Sequence, residues 1–176
     1  MTKLFLATIA GLLATGVLAQ AQSSPAGAPT DPQIAMIVVT ADNVDIAGGK
    51  LAAKKSTNPK VKEFAELMVR DHTSVNKQAT DLAKKLNLTP EQSPTSQSLK
   101  SDGDKMLAKL RGLKGAEFDK AYIDNEVTYH EAVIKAVDET LIPNAKNAEL
   151  KALLETGKPI FVSHLNHAKE LQSSLK

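Results

Sequence analysis

The stretch IDNEVTYHEAVIKAVDETL, residues 123–141, decides the fold. Ile123, Val127, His130, Ile134, Val137 and Leu141 recur in it at strict spacings of four and three. That period is the seam of packed helices, with each stripe residue facing a neighbouring helix. One member of the stripe is a histidine. Imidazole is costly to bury without a partner and is a common metal ligand. The same stretch therefore raises both the architecture and a hint of chemistry.

Working outward, the pattern predicts a helix over residues 116–141, ended by Pro143 and Asn144. Upstream, residues 31–55 carry Ile34, Ile37, Val38, Ala41, Val44, Asp45, Gly48, Leu51 and Ala52 at helical spacing. Gly48-Gly49 weakens that helix by about 1 kcal/mol per glycine relative to alanine and points to a close helix approach or a kink. Asn58 as cap and Pro59 at the first helical position start a helix that ends near Leu88, with His72 in its stripe. Residues 89–101, with Pro90, Pro94 and several serines, read as loop, followed by a short helix over about 102–111. A last helix over 146–175 carries Leu150, Leu154, Phe161, His164, Ala168 and Leu171, and Pro159 within it is expected to kink or split it. No strand alternation or solenoid repeat occurs. The expectation is an all-α chain: an antiparallel four-helix bundle with a short extra helix between helices two and three.

Residues 1–21 are not part of that domain. Lys3, the apolar run from Leu4 to Leu18, and Ala19-Gln20-Ala21 have the order of a secretory signal peptide. The run is too short to span a bilayer, and no cysteine is present for a lipid anchor. Residues 22–31 read as a flexible leader and residues 32–176 as the folded domain. A periplasmic or secreted location follows, with no transmembrane segment left after cleavage. With 0 cysteines, packing alone must hold the fold. The formal net charge of +2, mixed along the chain, and the absence of tryptophan give no platform for nucleic acid.

Three histidines, His72, His130 and His164, fall in apolar stripes. In an up-down-up-down bundle, Asp45, His72 and His130 agree in height within about 5 Å, while His164 lies roughly 10 Å off that level. Glu126 is four residues before His130 and can face it; Asn76, four after His72, can orient it. Asp71 and Glu131 point about 100° away from their histidine neighbours and are not expected to share a ligand set with them. His167 is expected at the surface. The candidate metal ligands are thus His72, His130, Asp45, Glu126 and His164. Rings roughly 8 Å or more apart would leave these histidines only a core role, since ligands of one ion sit about 2.0–2.2 Å from it. No P-loop, dinucleotide fingerprint or nucleophile elbow is present, so no catalytic residue is assigned.

Several stretches carry a resemblance: Lys50-Leu51-Ala52 before Asn58-Pro59-Lys60-Val61-Lys62, Met68-Val69-Arg70-Asp71-His72-Thr73, Phe118-Asp119-Lys120-Ala121-Tyr122, His130, and Pro159 with His164-Leu165. Together they resemble an exported bacterial family of unknown function in the ferritin-like superfamily. The resemblance covers about residues 31–176. It implies a four-helix ferritin-like bundle in the periplasm or envelope, often labelled a putative membrane or outer-membrane protein, and implies no activity. Di-iron members of the superfamily use Glu-x-x-His pairs. Here Val69, Val127 and Phe161 stand three residues before the histidines. The leading expectation is a non-enzymatic envelope or stress-related protein with an envelope protein as possible partner. The alternative is divalent transition-metal binding in the bundle core through His72 and His130.

Overall fold

The computed structural model describes residues 27–175; the expected signal peptide and most of the leader lie outside them. The described residues form five long helices and no strand. They are α1 (Asp31–Lys55), α2 (Pro59–Lys85), α3 (Pro94–Gly112), α4 (Gly115–Ala136) and α5 (Ala148–Ser174). A π-helical turn, Val137–Leu141, and a single turn, Ile142–Asn144, extend α4. None of these helices is long and apolar enough to cross a membrane.

The helix starts follow from local chemistry. Thr30 and Gln33 form a capping box at α1, Asn58 caps α2 ahead of Pro59, and Asn147 caps α5. The Asp31 carboxylate accepts hydrogen bonds from the backbone N–H groups of Lys146 and Asn147 at 2.8 and 2.9 Å, which ties the start of α1 to the start of α5. Asn87, at φ 51°, closes the end of α2. The lysine pairs sit in the last turns of α1 and α2 as expected, and Lys55 reaches the carbonyls of Leu110 and Arg111 at the end of α3.

Two expectations are corrected. α3 is not short and does not begin near residue 102. It starts at Pro94, because Ser93 and Ser96 make a buried capping box and Pro94 is suited to the first helical position. Pro159 does not split α5, which is continuous. The carbonyl that proline leaves without an i+4 donor is that of Glu155. Both residues are exposed, so water can serve it. The helix gives instead at the π turn, directly ahead of Pro143, whose ring would press on the Glu139 carbonyl in a regular helix.

α1 packs lengthwise on α2, α4 on α5, and α2 also meets α5; α3 packs on α1 and scarcely touches α4. Two apolar clusters form. One gathers Phe64, Met68, Phe118, Tyr122, Ile123 and Leu171. The other gathers Ile34, Ile37, Val75, Leu141, Leu154 and Phe161. Along α2, His72 lies between Met68 of the first and Val75 of the second. Along α5, His164 lies between Phe161 and Ala168 in the same way. The stripes are therefore interrupted at one common level, and that level is polar.

The glycine pair serves close approach. A Cβ on Gly49 would stand 2.9 Å from the Ala65 carbonyl oxygen of α2, whereas one on Gly48 would meet nothing nearer than the Met106 methyl at 3.4 Å. Gly49→Ala is expected to destabilise the protein by about 1–3 kcal/mol. Gly48→Ala should be neutral or stabilising through helix propensity. Thermal melts of both variants check this; equal behaviour contradicts the packing.

Candidate metal centre

The polar level holds six buried side chains. Relative exposures are 2% for Asp42, 3% for Asp45, 3% for His72, 1% for Glu126, 0% for His130 and 2% for His164. α1 supplies the two aspartates, α2 His72, α4 Glu126 and His130, and α5 His164. The histidine rings are 5.2–5.6 Å apart, centroid to centroid, well inside the separation that would limit them to a core role. Phe161 stacks on His72 at 5.6 Å and 6°.

Each ring has one nitrogen tied down. His72 Nδ1 donates to Asp42 Oδ1 at 2.8 Å. His130 Nδ1 donates to the Glu126 backbone carbonyl at 3.0 Å. His164 Nε2 donates to Asp71 Oδ2 at 3.1 Å. These bonds fix the tautomers of the neutral rings. The other nitrogens, His72 Nε2, His130 Nε2 and His164 Nδ1, are buried and make no hydrogen bond among the described residues. Asp45 Oδ2 stands 3.3 Å from His72 Nε2 and 3.9 Å from His130 Nε2. One donor atom from each of the three histidines lies within 4.8 Å of the others, and the same holds for Asp45, Glu126 and His130. Tetrahedral ligands of one ion are about 3.4 Å apart, so shifts of about an ångström would close either set.

The charges of these groups follow from burial and neighbours. Burial opposes a proton on His72, but the carboxylates of Asp45 and Asp42 outweigh it and hold the ring above the ordinary histidine value. Burial, followed by the like charge of His72, keeps His130 low despite Asp45. Burial lowers His164 to about 4 against the hydrogen bond that it donates to Asp71, helped by the like charges of His72 and His130. Glu126 is pushed well up, first by burial and then by the adjacent Asp45 carboxylate. Burial also raises Asp42, although His72 pulls the other way. The metal-free centre thus holds two imidazoles that resist protonation, a His72 ring that its aspartates favour in the charged form, and a Glu126 carboxyl that burial favours in the neutral form.

The structure brings all five sequence candidates to one level, and this corrects the placement of His164. The height estimate set its turn at Pro143–Asn144. The link actually runs to Asn147, so His164 lies about sixteen residues past the start of α5 and His130 about fourteen before Asn144. At about 1.5 Å per residue these positions match within roughly 3 Å. Asn76 does not orient His72, because its amide donates to Asn43. Asp42 does so instead, a residue the sequence reading missed, although its position three before Asp45 put both on neighbouring helix rows. Asp71 turns away from His72, as its spacing required, and serves His164. Glu131 pairs with Lys169 outside the centre. His167 is half-buried, with its ring edge-on to Phe64 at 5.1 Å.

Unfolded histidine titrates near 6.5, and folded His164 at about 4. Between those values only the unfolded chain takes up the proton, so stability falls with falling pH in that window and levels off below it. The stability of metal-free wild type relative to His164→Gln is expected to decline from pH 6.5 to pH 4 in urea unfolding. A flat or rising difference contradicts a neutral buried ring.

No curated protein and no solved structure matches the chain. One family model does, the Domain of unknown function (DUF4142), over residues 17–171. The match spans most of the sequence, including every residue of the polar centre, and the chain belongs to this family.

Proposed function

We propose that this is an exported, non-enzymatic helical protein that binds one divalent transition-metal ion in its core. The ligands in this reading are His72 Nε2, His130 Nε2 and His164 Nδ1, with Asp45 as the fourth donor. The observation that carries it is the set of three buried imidazole nitrogens that make no hydrogen bond among the described residues, each on a ring whose other nitrogen is held, with the Asp45 carboxylate 3.3 Å from that of His72. A buried polar atom left unpaired costs about 1–3 kcal/mol. Three such atoms at one level make a poor structural core and a good ligand set. The outer partners Asp42, the Glu126 carbonyl and Asp71 are of the kind that orient metal-bound histidines.

The donor chemistry narrows the ion. Three imidazoles and a carboxylate suit zinc, copper, nickel or iron rather than calcium or magnesium. The negative charge of Asp45 offsets part of the cation's desolvation, and the neutral state of His130 and His164 leaves their lone pairs ready. Without Glu-x-x-His pairs, a di-iron oxidase reading lacks support.

The remaining parts of the reading rest on sequence pattern and on helix pairing. The order of residues 1–21 supports export to the periplasm or envelope. The pairing of α1 with α2 and α4 with α5 supports a ferritin-like four-helix bundle to which α3 is an addition.

Chelator-stripped protein titrated calorimetrically with Zn²⁺ and Cu²⁺ is expected to take up one ion per chain and to melt at a higher temperature when loaded. His130→Ala and His164→Gln should each weaken that uptake at least tenfold. Asp42→Asn should weaken it by about 10–100-fold. Absence of binding, with melting unchanged by either ion, overturns the proposal.

A further inference from the structure

A cavity of about 890 Å³ runs between α1, α3, α4 and α5 and reaches the polar level from one side. It exists because α3 packs on α1 without closing against α4. Gly103 of α3 sits so near α1 that a Cβ there would fall 2.7 Å from Val44. The wall is apolar along most of its length, through Ile37, Val38, Leu99, Val133, Leu141 and Leu154. Asp42, Asp45 and His72 also line it, at the height where Tyr129 donates to the Ala41 carbonyl at 3.0 Å. From Tyr129 to Leu141 the cavity follows roughly 18 Å of helix. An apolar chamber of this size with a few convergent polar groups is the usual form of a small-molecule site.

The polar end is specific in sign. Asp42 Oδ2 is buried and makes no hydrogen bond among the described residues. The buried charged groups on this wall are Asp42, Asp45 and His72, and the His72 ring already gives Nδ1 to Asp42 and turns Nε2 toward Asp45 at 3.3 Å; Asp102 and Glu139 also line the cavity but are exposed and paired with Lys105 and Lys135. Acceptors are therefore in excess. A ligand's head must donate a hydrogen bond, and a carboxylate head would face two like charges.

We infer that this cavity binds an elongated, largely apolar small molecule with a single hydrogen-bond-donating head, of the long-chain alcohol or amine class. The head meets Asp42 and the tail runs along Leu99 and Val133 toward the π turn. The inference goes beyond metal binding and does not need it, since the apolar wall contributes no metal ligand.

The test uses the metal-free protein with 1-decanol, 1-aminodecane and decanoate, each below its aggregation concentration, read by calorimetry and thermal melting. The alcohol and the amine are expected to bind saturably at one per chain and to raise the melting temperature, with decanoate at least tenfold weaker. Leu99→Trp and Ala136→Trp, which fill the apolar stretch, should each lower alcohol binding at least tenfold while Zn²⁺ uptake stays at the wild-type level. Circular dichroism and a cooperative thermal melt show that each variant has folded, so loss of the alcohol by a folded variant isolates the cavity. No saturable binding by the alcohol or the amine, decanoate as tight as decanol, or unchanged binding in both filled variants overturns the inference.

Discussion

His72 held between Asp42 and Asp45 is the contact on which the rest of the structure depends. It joins α2 to α1 in the middle of the core, with one bond of 2.8 Å and one approach of 3.3 Å. Buried charges are tolerated only with partners, and removing one partner of such a pair leaves the other uncompensated. The helices must therefore meet at a fixed register. Gly49, lying against the Ala65 carbonyl, lets them come close enough. Apolar clusters on both sides supply the burial that offsets this polar level, at about 1.5–3 kcal/mol for each large side chain fully removed from water. His130 and His164 then come to the same level because α4 and α5 are paired at the same height.

The helix stripes, and with them the histidines' inward direction, were legible in residues alone. The 4,3 spacing around His130 and the Asn58-Pro59 start needed no tertiary information. The height of His164 did not survive, because it depended on where a three-residue link begins. Such boundaries are the least certain part of a periodicity reading. Asp42 was hidden for a different reason. A carboxylate one row from the stripe looks like a boundary residue until a specific imidazole is found opposite it. The start of α3 was in fact written in Ser93-Pro94, by the same logic as Asn58-Pro59, but the surrounding serines and prolines read as loop. The cavity left no mark in the sequence, since it is a gap between helices rather than a property of any one of them.

The centre combines two features that pull toward different chemistry. Its nitrogens are arranged as a ligand set, with carboxylate and carbonyl partners behind them. Its acids are crowded together, and burial followed by the adjacent Asp45 carboxylate pushes Glu126 well above the ordinary glutamate value. Burial holds His130 and His164 below the ordinary histidine value and the aspartates hold His72 above it, so an ion at His72 Nε2 competes with a proton there and uptake is linked to proton release. The side open to the cavity is the one lined by Asp42, Asp45 and His72, whereas His130 and His164 are approached only through protein.

The most direct test is X-ray absorption at the metal edge of the protein loaded with one equivalent of Zn²⁺. The expected result is a four-coordinate shell of N and O donors at about 2.0–2.1 Å, with the outer-shell scattering of three imidazoles. That imidazole signature should fall by one ring in His164→Gln. A shell of oxygen donors without imidazole scattering, or one unchanged by the substitution, would contradict the account.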